Sequence, residues 1–135
     1  MELLNSMMVS AAGMRVQGQR MRIVAENIAN ANSQPTEPGG DPYRRKLVIF
    51  KNLLDRELGA RLVEVDKVTV DNSEFQKRYD PGNPAADADG YIKLPNVNAL
   101  VEMMDMREAQ RSYEANLTVI ESAKQMMART VELLR

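Results

Sequence analysis

The sequence predicts a mainly α-helical fold with a small β module. Long N- and C-terminal helices pair as an antiparallel coiled-coil-like domain, and a β-rich segment lies between them in the chain. Three observations predict this fold. Apolar residues repeat every seven positions at both ends of the 135-residue chain. The middle contains Pro/Gly-rich loops and short β-branched runs. Aromatic residues make up only 4%, while all ten Met lie in residues 1–21 or 103–127, which suits helix seams better than a deep core.

The N-terminal segment 1–33 is assigned to the helical domain, with a helix predicted over residues 1–32. Two rows repeat every seven residues, offset by three, and together form an a/d stripe. One row is large: Met7, Met14, Met21 and Ile28. The other is mostly small: Leu4, Ala11, Gly18 and Ala25. Gly costs a helix roughly 1 kcal/mol relative to Ala, so we expect tight packing of a second backbone at Gly18.

The middle segment 34–95 has a different pattern. Residues 34–42 contain three Pro and two Gly and predict a loop. In the run 60–70 apolar residues alternate, but the phase slips at Asp66–Lys67, as either a hairpin turn or a bulge would cause. Strand propensity is found at 47–50, at 60–70 and at 91–94. The sequence therefore predicts a small β-rich module, too small to form a deep core by itself.

The C-terminal segment 96–135 predicts the second helix, which Pro95 precedes. Its seam again combines a large row with a smaller one. The large row is Met106, Tyr113, Ile120, Met127 and Leu134, and the smaller row is Ala109, Asn116, Ala123 and Thr130. Both helices also carry apolar residues off their seams: Leu3, Val9, Val24, Leu117 and Val131. A two-helix pair cannot cover that much apolar surface, so we expect further protein partners.

Composition excludes several classes of function. The net charge is −1, from 18 basic and 19 acidic side chains, which gives no electrostatic signal for nucleic-acid binding. The chain has no Cys and no His, which removes disulfides, ordinary zinc sites and Ser–His nucleophiles. No apolar run is long enough for membrane insertion. Glu2, Asn5 and Ser6 argue against a cleaved signal peptide. Composition alone therefore indicates a cytoplasmic protein.

The best candidate for a metal site is the acidic run at 85–90. Aligning Gly90 to position 6 of an EF-hand loop places Asp87 and Asp89 at positions 3 and 5. Positions 1 and 12 are then Ala85 and Asn96, so both ends of the coordination are missing. Asp and Gly are also favoured in turns for backbone reasons, and a simple turn is the alternative. We predict no metal and no cofactor.

Other chemical signals are equally weak. Arg44, Arg45 and Lys46 form a basic run that could contact phosphate, or be a solvated or salt-bridging strand edge. The pair Asp87 and Asp89 has no aromatic platform of the kind that accompanies a glycosidase site. We therefore expect no enzymatic activity. The Met-rich stripes suit either a peptide-binding groove or a helix seam. A cytosolic coiled-coil adaptor that binds partner helices is the alternative function.

Three segments carry a resemblance to a known family. The stretch AENIANAN at 25–32 resembles the Asn-rich N-terminal motif of flagellar rod and hook proteins, an axial protein family. The stretches 41–50 and 79–127 are more specific and are similar to proximal-rod members. The resemblance places Asn27, Asn30 and Asn32 where the first helix ends. It also places Tyr113, Ala115 and Asn116 in a mid-helix motif, SYxAN, where Asn116 is either buried with amide partners or exposed to solvent.

The resemblance implies a structural subunit that transmits torque in the flagellar basal body. It implies export through the flagellar type III apparatus without a cleaved signal, and helical assembly in the periplasm. The implied partners are other copies and homologous rod proteins: proximal rod, distal rod and the adaptor to the MS ring. The terminal helices would form an inner rod domain around the export channel, with 34–95 as an outer segment. No nucleic acid, membrane insertion, cofactor or catalysis is implied.

Overall fold

A computed structural model describes residues 2–134 of the chain. Along the chain, one helix comes first, four strands follow, and a second helix comes last. The strands form two separate two-stranded sheets. The elements are α1 (Glu2–Ala29), β1 (Lys46–Asp55), β2 (Ala60–Val70), β3 (Gln76–Tyr79), β4 (Tyr91–Leu94) and α2 (Ala99–Leu133). The predicted class, mainly α with a small β segment in the middle of the chain, is confirmed.

Helix α1 ends at Ala29, three residues before the predicted end at 32. The predicted first residue of the helix, Met1, lies outside the described residues. Asn30 donates two hydrogen bonds to the Glu26 carbonyl, one from its backbone N (3.1 Å) and one from its side-chain Nδ2 (2.8 Å). The next bond, from Ala31 N to the Ile28 carbonyl, spans only three residues, so the turn tightens and the helix stops. Local hydrogen bonding by the Asn30 side chain thus accompanies the end of the helix.

Helix α2 begins at Ala99 rather than at 96, and the predicted last residue, Arg135, lies outside the described range. Asn98 is the N-cap, because its Oδ1 accepts hydrogen bonds from the backbone N of Leu100 (3.1 Å) and Val101 (3.4 Å). Its own carbonyl accepts the first helical bond, from Glu102 N at 3.0 Å. Pro95 therefore precedes the helix without belonging to its first turn.

The strands β1 and β2 pair with each other. Of the two explanations for the phase slip at Asp66–Lys67, a hairpin turn or a bulge, the hairpin turn is wrong, because β2 is one strand over Ala60–Val70. The turn lies instead at residues 56–59. There the Asp55 carboxylate accepts from the backbone N of Glu57 and Leu58, and Gly59 has a φ of +62°. Strand β2 runs unbroken through Asp66, and its phase slip appears as a change in burial. Val63 and Val65 are half-buried, while Val68 and Val70 are exposed.

The strands β3 and β4 pair antiparallel, in a register that places Gln76 opposite Leu94 and Tyr79 opposite Tyr91. The two Tyr rings meet edge to face with centroids 5.2 Å apart. Strand β4 matches the prediction at 91–94, but β3 was not predicted. All four of its side chains are exposed and its sequence, QKRY, has no apolar alternation from which a strand could be recognised.

The chain forms two compact units. The first contains α1 up to Met21, the segment Ile49–Lys67 and α2 from Arg107. Its buried apolar residues are Ala12, Val16, Leu62, Ala109 and Ala123. The second contains Arg22–Val48 and Val68–Met106, with buried Val24, Ala85 and Ile92. Both cores consist of small and medium side chains, as the scarcity of aromatics leads one to expect.

Candidate functional site

The face of α1 that meets α2 lies one residue before the predicted apolar stripe. In the first unit a Cβ at Gly13 would lie 2.8 Å from Nδ2 of Asn116, and Arg20 forms an ion pair with Glu108 at 3.3 Å. In the second unit Asn27 donates to Glu102 at 3.0 Å. These α1 positions belong to a heptad series that is small or polar except for one Val: Ser10, Gly13, Gln17, Arg20, Val24 and Asn27. The contact between the two helices is therefore mostly small and polar.

The predicted stripe of α1 is left incompletely covered. Leu4 and Ala25 are exposed, and the other six positions are half-buried: Met7, Ala11, Met14, Gly18, Met21 and Ile28. On α2, the structure buries Ala109 and Ala123, half-buries Met106, Tyr113, Asn116 and Ile120, and exposes Met127 and Leu134. Apolar surface with a helical repeat thus remains available on both helices.

Part of the two predicted seams does come together, in a groove of about 450 Å³ within the first unit. We call it the Gly18 groove. It is lined by Ala11, Met14, Arg15, Gly18, Tyr113 and Ile120. The close backbone approach expected at Gly18 is not made by this chain, because no heavy atom among the described residues lies within 4 Å of a Cβ placed there. The close approach is at Gly13 instead.

The two glycines are expected to respond differently to alanine. Gly18→Ala adds a methyl group to open space and removes the helix cost of Gly, so the monomer should gain roughly 0.5–1 kcal/mol of stability. Gly13→Ala gains the same propensity but must displace the Asn116 amide. Urea denaturation of the two variants tests this. Equal gains would show that the Asn116 contact is not a constraint on α1.

Large apolar side chains cover much of the outer surface of the terminal parts of both helices. Within the first unit α1 exposes Leu4, Met8 and Val9, each more than two-fifths accessible. Residues 124–134, which include the last part of α2, are all exposed. They include Met126 (53% accessible), Val131 (63%) and Leu133 (87%). A single chain in water gains nothing from exposing such side chains, so this surface has the character of an interface.

The second unit contains a buried polar cluster centred on Asn27, which is 1% accessible. Its Nδ2 donates to the Lys46 carbonyl (2.9 Å) and to Oε2 of Glu102 (3.0 Å). Its Oδ1 accepts from the Tyr43 hydroxyl (2.8 Å) and from Lys46 N (2.9 Å). Both donors and both lone pairs of the amide are satisfied. Burial, reinforced by the carboxylates of Glu26 and Glu102, raises the pKa of Tyr43, which keeps its hydroxyl protonated as a donor.

Arg45 completes this group, which we call the Asn27 cluster: Asn27, Tyr43, Arg45, Lys46 and Glu102. Glu102 is fully buried, and its Oε1 accepts a short ionic hydrogen bond from Nε of Arg45. The same guanidinium lies 3.5 Å from Asp105 and 3.7 Å from Asp71. Two residues of the basic run at 44–46 therefore form salt bridges, since Lys46 also pairs with Glu26 at 3.0 Å. Arg44 instead donates to the backbone carbonyls of Asp71 and Ser73. The cluster fixes the start of β1 against the adjoining helix ends.

The other predicted motif residues have simpler surroundings. Asn30 shapes the end of α1, and its carbonyl accepts from the backbone N (3.1 Å) and the hydroxyl (2.9 Å) of Ser33, while Asn32 is exposed. Sequence reasoning missed Tyr43, Arg45 and Glu102 as partners of Asn27. Only the position of Glu102 in the first turn of α2 distinguishes it from the other acids of that helix, and this gives no indication of burial.

The acidic run at 85–90 forms a turn. Oδ1 of Asp87 accepts from the backbone N of Asp89 (3.0 Å) and Tyr91 (2.9 Å), and Gly90 has a φ of +82°. Over residues 2–134, no three acidic side chains are grouped closely enough to hold a metal ion. Neither helix has, within the same range, a stretch apolar enough to cross a membrane.

Comparisons with known proteins relate this arrangement to one family. Residues 88–133 match the family model described as flagellar basal body rod FlgEFG protein C-terminal. A protein of Agrobacterium fabrum named flagellar basal-body rod protein FlgC is 54% identical, with 94% of this chain and 91% of that protein covered. Proteins of the same name from Salmonella typhimurium and Bacillus subtilis are 40% and 36% identical. Both alignments cover 98% of this chain. They cover 98% of the Salmonella typhimurium protein and 99% of the Bacillus subtilis protein.

Proposed function

The chain belongs to the FlgC family of flagellar basal-body rod proteins, and from this premise we propose that it polymerises helically through its terminal helices. As a member of that family it is a structural subunit of the basal-body rod and not an enzyme. In the proposed assembly the two helices pair as an antiparallel, coiled-coil-like inner rod domain around the export channel. The predicted stripes of α1 and α2 are the subunit-packing seam, and residues 34–95 form the outer segment of a torque-transmitting tube.

The observation that carries this proposal is the exposed apolar surface of α1 and α2. Burying apolar area contributes about 25 cal/mol per Å², so neighbours that cover these side chains stabilise the polymer. The contact within the chain uses the small, polar series that includes Gly13 and Arg20, which leaves the large residues Met7, Met14 and Met21 incompletely covered. A helix whose large apolar residues stay incompletely covered by its own chain is what a subunit with neighbours on several sides requires.

The small core supports the proposed route to the assembly site. We infer export through the flagellar type III apparatus, without a cleaved signal, and assembly in the periplasm with other copies and homologous proximal-rod, distal-rod and MS-ring adaptor proteins. Passage through a narrow channel needs an unfolded chain. The apolar cores consist mainly of Ala and Val, with Leu62 and Ile92 the larger members in residues 2–134. The same sequence can thus form a monomer of marginal stability, which suits export, and a stable polymer.

We expect Met126→Lys to prevent incorporation into the rod. Met126 is 53% accessible, so the added charge is solvated in the monomer and its fold is retained. In the polymer the same charge would be buried without a partner, which costs several kcal/mol. Motility on soft agar and immunoblots of isolated basal bodies measure the effect, and circular dichroism of the purified variant checks the helices.

Gln125→Lys is the matched control. It adds the same charge to the neighbouring exposed position of the same helix but removes no apolar side chain. We expect near-normal incorporation. If Met126→Lys also assembles normally, the apolar surface of α2 is not a subunit interface. The alternative, a coiled-coil adaptor that binds partner helices in the cytosol, predicts that the protein fractionates away from basal bodies.

A further inference from the structure

We propose that the Gly18 groove of one subunit receives the outer face of α2 from a second copy of this chain. The proposal rests on the proposed function, because it specifies one contact within the polymer. The incoming face consists of Glu114, Leu117 and Glu121, which we call the Leu117 ridge. Spacings of three and four residues place these side chains on one side of the helix. All three are exposed, and Leu117 is 38% accessible.

The groove has room for a large side chain. Its floor at Gly18 is open, since a Cβ there would meet no atom within 4 Å among the described residues. Ala11 lies one heptad earlier on the same helix face, and Tyr113 and Ile120 form the opposite wall. In helix packing a knob such as Leu fits between four residues of a facing helix. Leu117 from a neighbour supplies that knob.

Charge selects the ridge over the other exposed faces of α2. Between residues 3 and 19, Arg15 is the only charged residue of α1, and it lines the groove. Within residues 2–134 it forms no ion pair. Residues 112–123 of α2 carry only Glu114 and Glu121, which place acids on both sides of Leu117.

The competing apolar face, which contains Met126 and Leu133, lies close to two cations and one acid: Lys124, Arg129 and Glu132. Its net charge is positive, which favours Arg15 less than the two acids of the ridge do. An acid-flanked ridge is therefore the better complement of this groove. Every copy of the chain carries both the groove and the ridge, so a second copy is a sufficient partner.

Cysteine cross-linking tests the contact directly, because the chain has no Cys of its own. The variant Gly18→Cys/Leu117→Cys replaces the natural chain in the cell, so that every subunit carries both cysteines. Basal bodies are then isolated and oxidised. We expect a band at twice the mass of the chain on non-reducing gels. Gly18→Cys/Ser122→Cys is the matched control. Ser122 is also exposed on α2 but lies on a different side from Leu117, so it should give monomer.

Two outcomes would overturn the proposal. One is monomer alone from Gly18→Cys/Leu117→Cys in basal bodies that contain the variant. The other is equal dimer from both double variants. Each leaves the proposed function standing, since the rod has then assembled, whereas normal assembly of Met126→Lys would count against that function.

A charge exchange tests the electrostatic part. Arg15→Glu in the double-cysteine background should abolish the dimer band, because the introduced acid faces Glu114 and Glu121 of the neighbour. Adding Glu114→Arg and Glu121→Arg to the same chain should restore it. Loss without restoration would show that Arg15 does not select the ridge.

Discussion

Glu102→Ala should destabilise the chain more than the removal of any other charged side chain in residues 2–134. The carboxylate is fully buried, and both of its oxygens are engaged, one by Arg45 and one by Asn27. Breaking a buried ion pair by removing one partner typically costs about 3–5 kcal/mol, because the other charge stays buried and unpaired. Asp71 and Asp105 retain part of the hold on Arg45. We therefore expect a loss near the lower end, measured by urea denaturation.

Two variants make the result interpretable. Glu108→Ala removes the same residue type from the same helix, but its side chain is 70% accessible and its partner is Arg20 at 3.3 Å. Exposed pairs contribute about 0–1 kcal/mol, so this control should hardly change the midpoint. Glu102→Gln keeps the shape and one acceptor but removes the charge, and should give an intermediate loss. Equal effects of Glu102→Ala and Glu108→Ala would show that the cluster does not hold the second unit together.

The sequence was sufficient for elements with strong periodic or turn signals. The heptad rows locate both helices to within about three residues, because an apolar repeat of three and four residues is the period of an α-helix. The β4 strand and the loop at 34–42 follow from local propensity and from Pro and Gly. The turn between β1 and β2 at 56–59 was not predicted, because it depends on the side chain of Asp55 and on one left-handed Gly.

The candidate site was less accessible to sequence reasoning. The a/d repeat on α1 is real, but a helix has more than one face with that period. The row beginning at Ser10 and the row beginning at Leu4 are offset by one residue in the heptad, which is a rotation of about 100° about the helix axis. Which row meets α2 is decided by polar contacts distant in sequence, such as that of Asn27 with Glu102. A pattern read from local apolar residues cannot recognise a face held by small and polar side chains.

Asn27→Asp should be more disruptive than its near-identical shape suggests. The amide Nδ2 that donates to the Lys46 carbonyl and to Glu102 becomes an oxygen, so two hydrogen bonds turn into contacts between acceptors. One of them also brings a second negative charge against a carboxylate about 3 Å away in a buried site. A buried group left unsatisfied costs about 1–3 kcal/mol, and more when it is charged. We expect a loss of at least about 3 kcal/mol at neutral pH.

The pH dependence separates this mechanism from a general packing defect. Protonation of the introduced carboxyl removes its charge and restores one donor, so the deficit of Asn27→Asp relative to the natural chain should shrink as the pH falls from 7 towards 5. Asn27→Ala, which leaves the partners unsatisfied but adds no titratable group, should show a deficit that is nearly constant over that range. Asn32→Asp, at an exposed position, controls for the added charge. A pH-independent deficit in Asn27→Asp would mean that the amide acts through its shape rather than through its two donors.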